Sequence, residues 1–231
     1  MDFKANEGKK VEIEADNKIY LRHAIKTKFI KEGDNYIEIF EEYVKPIYKE
    51  GDIVSCSEKI ISLCQKRTIK REEIKVGFWA KFLSKFASHP ETGIGVGEAI
   101  KMQYAINTVG LLKVLYASIV SAITKAFGKK GVFYEIVGPE VSGLDGFYGK
   151  VWKEYENIGI RIPENPDDVC NEIKSKLGIT TMIVDANDLG QEILGKAEEL
   201  KGKDSFLKKL IKDNPAGQSR ECTPLILIRE Q

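Results

Sequence analysis

Apolar and polar positions alternate along this chain with two different periods, and the places where the period changes mark its elements. Alternation with β-branched residues in Lys18–Ile25 and Ile53–Ser57 predicts strands, with a shorter one at 11–13. Two continuous apolar runs, 180–184 and 225–228, read as buried strands, and the second must pair in a sheet, which anchors the polar loop before it. Val132–Val137 reads as a further strand, entered through Gly128-Lys129-Lys130-Gly131 and left through Gly138-Pro139. Helical spacing predicts helices over 36–47 (N-capped by Asp34), 58–65, 78–86, 98–109, 111–127 and Pro166–Leu177, the last carrying Asp167 and Asp168 on its first turn. In 78–86, Trp79, Phe82, Leu83 and Phe86 share one face, which is assigned to the core. The run 109–126, broken by Lys113 and Lys125, reads as a buried helix. Alternating helices and strands without repeats or low-complexity linkers predict one integrated α/β (mixed α+β) domain over 1–231, with a shift at Gly128 allowing lobes 18–127 and 128–231.

Composition narrows the partners. With 36 basic and 35 acidic residues in 231, the net charge is +1, so no overall field favours nucleic acid or membrane. No apolar run approaches the roughly 20 residues that span a bilayer, and the charged first sixteen residues do not form a secretory leader. Cys56, Cys64, Cys170 and Cys222 form no C-x-x-C pair, so a zinc site is not expected and reduced thiols in a cytoplasmic protein are. The basic run Lys66, Arg67, Lys70, Arg71 and Lys75 reads either as a solvated face or as a phosphate contact.

The candidate chemistry is carboxylate-based. Asp185 closes the run 180–184 and opens a polar stretch ending at Gly190, and ligands in open α/β sheets collect beyond the carboxyl ends of strands. Asp145 sits between Gly143 and Gly146, and Glu221 lies in the polar loop before the last strand. Loop carboxylates suit Mg²⁺ or Mn²⁺, and equally suit turns, since Asp side chains bond their own backbone. Gly93, Gly95 and Gly97 before a helix imitate a phosphate loop, with Lys101 one turn in, but without P-loop or Rossmann spacing.

In order, Ile25-Lys26-Thr27, Lys31-Glu32-Gly33-Asp34, Glu50-Gly51-Asp52-Ile53-Val54, Ser57-Glu58-Lys59-Ile60-Ile61-Ser62, Arg67, Ser142-Gly143-Leu144-Asp145, Ile162-Pro163-Glu164-Asn165-Pro166-Asp167, Ile183-Val184-Asp185 and the closing segment 217–229 resemble the coenzyme F420-0 gamma-glutamyl ligase family. The resemblance implies a two-lobed α/β fold forming an intertwined homodimer, and a GTP- and Mg²⁺- or Mn²⁺-dependent ligase. Such an enzyme activates a carboxylate as an acyl phosphate for attack by an amino acid such as L-glutamate. By position it makes Asp145 and Asp185 metal ligands, Glu221 a third, and Lys59 a nucleotide or substrate contact, with Arg67 beside the basic run. After Asp145 the family has serine and asparagine where this chain has Gly146, Phe147 and Tyr148, and after Asp185 it has threonine and a glycine-arginine pair where this chain has 186–191. These departures point to a changed substrate or to a non-catalytic descendant that binds a ligand or partner, and Asp188 stands either as a replacement ligand or as an Asx turn.

Overall fold

The computed structural model describes residues 2–87, 95–147, 153–187, 190–217 and 220–231. In chain order its strands are β1 (Glu12–Ala15), β2 (Lys18–Ile25), β3 (Ile53–Ser57), β4 (Thr68–Lys70), β5 (Asp145–Gly146), β6 (Ile158–Ile160), β7 (Thr181–Asn187), β8 (Gly190–Lys196) and β9 (Leu225–Glu230). The helices are α1 (Tyr36–Ile39), α2 (Glu58–Cys64), α3 (Phe78–Ser84), α4 (Ala99–Val109), α5 (Leu111–Ala126), α6 (Val132–Val137), α7 (Pro139–Ser142), α8 (Pro166–Leu177) and α9 (Asp204–Leu210). The class is mixed α/β, as the sequence predicts. The chain divides into unit 1, Met1–Lys66 with Pro163–Gln231, and unit 2, Arg67–Ile162; Gly128 lies inside unit 2.

Unit 1 is a six-stranded sheet in the order β1-β2-β9-β3-β7-β8. β1 and β2 form a hairpin whose two turn residues, Asp16 and Asn17, have φ of 50° and 62°, the left-handed pair that matches strand twist. β3 runs parallel to β7 and antiparallel to β9. The sheet is covered on both faces. Leu225 and Leu227 enter one core with Ile39, Phe40, Val54, Cys56, Cys170 and Ile173, whereas Ile226 and Ile228 enter the other with Tyr20, Met182, Leu207 and Leu210. That is why 225–228 and 182–184 are apolar at every position: side chains that alternate between faces all meet a core. Each such burial contributes about 1.5–3 kcal/mol.

Three expectations in unit 1 shift. The helix at 36–47 is α1 followed by a wider turn, Phe40–Val44, in which the Lys45 N–H reaches the Phe40 carbonyl five residues back at 3.0 Å. Its cap is Asn35, whose side chain accepts from the Ile37 N–H at 2.9 Å, while Asp34 accepts from the Lys31 N–H. The polar stretch after Val184 is still strand: β7 runs on to Asn187 and pairs with β8, with Asp185 opposite Glu192.

Unit 2 has a three-stranded sheet, β4-β6-β5, and helices α3 to α7. Val132–Val137 is helix α6 rather than a strand. Its β-branched and aromatic residues carry strand propensity, but Phe133 and Val137 lie a turn apart and pack into one core with Met102, Ala105, Val114 and Val141. The aromatic face of 78–86 is also not core. Phe78 is 72% exposed and Phe86 74%, while the small Ala80 and Ser84 point inward. Nor is 109–126 a buried helix: α5 buries only Val114 and Ala117.

Candidate functional site

Strand directions in unit 1 collect the candidate residues at one edge of the sheet. β3 and β7 are parallel, with Ser57 opposite Val184, so β3 ends beside Asp185. The next residues after β3, Glu58 and Lys59, open α2. β9 is antiparallel to β3, and the Ser57 N–H donates to the Pro224 carbonyl at 2.9 Å, which brings the start of β9 and the Glu221 segment to the same edge. The Thr27 N–H closes the row by donating to the Cys222 carbonyl at 3.0 Å. This is the carboxyl edge of a parallel pair, the position where α/β sheets hold ligands.

The side chains there are mostly acidic. Glu58 is 5% exposed, with its carboxylate 4.0 Å from the Lys59 ammonium. The Glu221 carboxylate folds over Gly217, where a Cβ would lie 2.7 Å from its Cδ, and the φ of 77° at Gly217 is a backbone conformation that favours glycine. Glu58 is a site residue that the sequence reading passed over. Its signal is position: an acid at the first residue of a helix that directly follows a strand.

The remaining candidates belong to unit 2. Asp145 opens β5 opposite Ile160, and its carboxylate accepts from the Gly146 N–H at 2.8 Å, an Asx-type local bond. Gly146, at φ 92°, has no room for a side chain: a Cβ would stand 2.3 Å from the Ile158 carbonyl oxygen. The glycine therefore lets the backbone approach β6 closely. Lys101 is 3% exposed and donates to the carbonyls of Ser142 at 3.1 Å and Leu144 at 2.8 Å, holding the Asp145 segment from beneath. Burial pulls its pKa down to about 8, against the opposing pull of the nearby Asp145 charge. Arg67 bridges the Ile162 carbonyl at 3.0 Å and the Glu140 carboxylate at 2.7 Å.

The described part of the glycine loop turns inward. Gly95 and Gly97 are buried, the Val96 N–H donates to the Tyr134 hydroxyl at 3.2 Å, and the Glu98 N–H donates to the Gly95 carbonyl at 2.9 Å. Thr92 and Gly93, like Asp188, lie outside the described residues. The four cysteines are free thiols; burial raises Cys56 well above its usual range and lifts Cys64 and Cys170 to about 12, so none of these three is a thiolate nucleophile.

Among the described residues, no group of three or more His, Cys, Asp or Glu side chains is placed to hold a metal ion. A closed protein cage is therefore absent from them. The donor chemistry at the sheet edge, carboxylates alone, still fits Mg²⁺ or Mn²⁺, which take one or two carboxylates and complete their shells with water and phosphate oxygens.

Residues 24–124 match the model of the family described as F420-0:Gamma-glutamyl ligase. The matched stretch contains Lys59, Arg67, Gly95, Gly97 and Lys101, and leaves Asp145, Asp185, Asp188 and Glu221 beyond it. The comparison with curated proteins gives no match.

Proposed function

We propose, from the chain's membership of the F420-0:gamma-glutamyl ligase family over residues 24–124, that it is a nucleotide-dependent ligase joining an amino acid of the glutamate type to a carboxylate acceptor. The observation that carries this reading is the shared edge of β3, β7 and β9, which gathers Glu58, Lys59, Asp185 and the Glu221 segment in unit 1. In the reaction, an acceptor carboxylate oxygen attacks the terminal phosphorus of GTP, the bond to the β-phosphate oxygen breaks, and the diphosphate nucleotide leaves. The amino group then attacks the acyl phosphate, inorganic phosphate departs, the nitrogen loses a proton and an amide forms. Lys59 faces the transferring oxygens and offsets their charge. Asp185 and Glu221 hold Mg²⁺ or Mn²⁺, which neutralises phosphate charge when bound. Asp145 is a separate candidate ligand in unit 2, and Asp188 remains one by sequence. A two-lobed, intertwined homodimer belongs to the same reading.

A second reading, a non-catalytic descendant that binds a ligand or partner, is favoured by one observation. Phe147, which stands two residues after Asp145 where the family has a polar side chain, is committed to packing against β6. Titration calorimetry with GTP, GDP and ATP, each with and without Mn²⁺, tests both. The ligase reading expects one nucleotide to bind only with Mn²⁺, and phosphate release once an acceptor and L-glutamate are added. Absence of binding in every combination overturns it, and binding without turnover across acceptors selects the descendant.

A further inference from the structure

Ten large hydrophobic side chains are exposed among the described residues, and nine of them lie on or beside two helices of unit 2. Along α3 these are Phe78, Trp79, Phe82 and, just past its end, Phe86. Along α5 they are Leu112, Tyr116, Ile119 and Ile123, four residues on one helical stripe, with Phe127 at the C-terminal cap. The α3 rings form a continuous surface: Phe78 stacks on Phe82 with centroids 6.0 Å apart and meets Trp79 edge-on at 5.5 Å, and Phe82 meets Phe86 at 5.2 Å. Patches of this size on a folded surface mark association sites.

Within the stretches that carry these faces, 74–90 and 99–134, every charged residue is basic. Lys81 and Lys85 accompany α3, and Lys113, Lys125, Lys129 and Lys130 accompany α5; all six are exposed. No Asp or Glu occurs between Glu73 and Glu91, or between Glu98 and Glu135, where the Lys129 ammonium reaches the Glu135 carboxylate at 3.3 Å. The net charge of +1, which set the expectation against a membrane partner, averages this local field away.

We propose that the exposed faces of α3 and α5 dock the protein on a lipid surface bearing anionic headgroups. Each helix lies in the interface with its rings and aliphatic side chains among the acyl chains and its lysines at the phosphates. Trp79 and the phenylalanines are the residue types that anchor such helices, and lysine stems reach from an apolar face to the headgroups. The helices do not span: α5 has 16 residues, and no described helix is long and apolar enough to cross a membrane. Charge decides against a second copy as the occupant. It would set lysines against lysines, since neither 74–90 nor 99–134 contains an Asp or Glu.

The full chain carrying Trp152→Phe keeps Trp79 as its only tryptophan. It is mixed with vesicles of phosphatidylcholine alone or of phosphatidylcholine with phosphatidylglycerol. The expected result is a blue shift of Trp79 emission and co-sedimentation with the anionic vesicles, both diminished by added salt. Phe82→Ser with Phe86→Ser, or Ile119→Ser with Ile123→Ser, lowers partitioning about a hundredfold, roughly tenfold per side chain, with circular dichroism unchanged. Failure to sediment with either vesicle overturns the proposal, as does equal binding to neutral vesicles. A dimer in sedimentation equilibrium that these substitutions dissociate, without vesicle binding, also overturns it and assigns the face to a second copy.

Discussion

Unit 1 hides its apolar residues and unit 2 displays them. In unit 1 the central strands meet a core on each face, so even the continuous run 225–228 is buried. In unit 2 the sheet has three short strands, and the cores around them are closed by small inward residues such as Ala80, Ala105 and Ala117. Aromatic and branched side chains on the outer sides of α3 and α5 are left at the surface. Similar side chains thus serve opposite ends: in one unit they rigidify a sheet edge that presents carboxylates, and in the other they form a surface for association. An apolar stripe at helical spacing says that a face seeks a partner, and only the size of the neighbouring core says whether that partner is within the chain.

The sharpest way to break this contrast is to ask which unit holds the ligand. Asp185→Asn in unit 1 and Asp145→Asn in unit 2 are each expected to weaken Mn²⁺-dependent nucleotide binding about a hundredfold or more by calorimetry, with the circular dichroism spectrum unchanged. Unchanged binding in both variants ends the assignment, and loss in one alone gives the site to that unit.

The next effect lies in the cohesion of unit 1. The Arg22 guanidinium is 1% exposed, forms a two-point pair with Asp213, and donates to the carbonyls of Leu210 and Lys10. Asp213→Asn leaves that charge uncompensated and is expected to cost about 3 kcal/mol in urea denaturation. Burial raises the Asp213 carboxyl, but the Arg22 bonds outweigh it and hold the pKa below its ordinary value. A depressed carboxyl stabilises the fold above its unfolded pKa of about 3.9 and loses that contribution as pH falls through the folded value. The variant is expected to lack this part of the acid sensitivity.

Unit 2 answers to backbone geometry. Gly146→Ala forces a side chain to within 2.3 Å of the Ile158 carbonyl oxygen at a left-handed φ, and is expected to cost about 2–3 kcal/mol, read as faster hydrogen exchange in β5 and β6. Lys101 gives this unit a pH signature of the same sense as that of Asp213, in an alkaline window. Its pKa falls to about 8 in the fold from its ordinary 10.5, so the unfolded chain holds more protons between these values and stability rises with pH across that window. Lys101→Met is expected to flatten that rise in pH-dependent thermal denaturation while lowering stability at neutral pH, since the carbonyls of Ser142 and Leu144 lose their donor. The smallest effect on stability is the most telling for the surface: Phe82→Ser is expected to change it by less than about 0.5 kcal/mol while weakening vesicle binding.

Much of unit 1 was legible in the sequence because its signals are local. The strands Lys18–Ile25 and Ile53–Ser57 and the helix Pro166–Leu177 fall where alternation and helix signals place them. The end of β7 was hidden because Asp185-Ala186-Asn187 carries turn chemistry, and only pairing with β8 keeps those residues extended. In unit 2 the periodicity of α3 and α5 was readable but their environment was not, since exposure depends on what lies opposite. Val132–Val137 shows the same limit from the other side: strand-forming residues turn helical when their neighbours supply a helical core. At the candidate site, Lys59, Asp185 and Glu221 could be singled out by type and position. The shared edge that gathers them is a property of strand direction, as is the relevance of Glu58.

The cysteines leave the molecule with a built-in reporter. Cys56 and Cys170 are buried, and the thiols of Cys56, Cys64 and Cys170 are all held far from ionisation at neutral pH. An alkylating dye therefore finds its acceptor at partly exposed Cys222, adjacent to Glu221 and tied through its carbonyl to Thr27. The native chain can thus carry a single fluorophore at the rim of the sheet edge, where its signal would follow occupancy without any engineered residue.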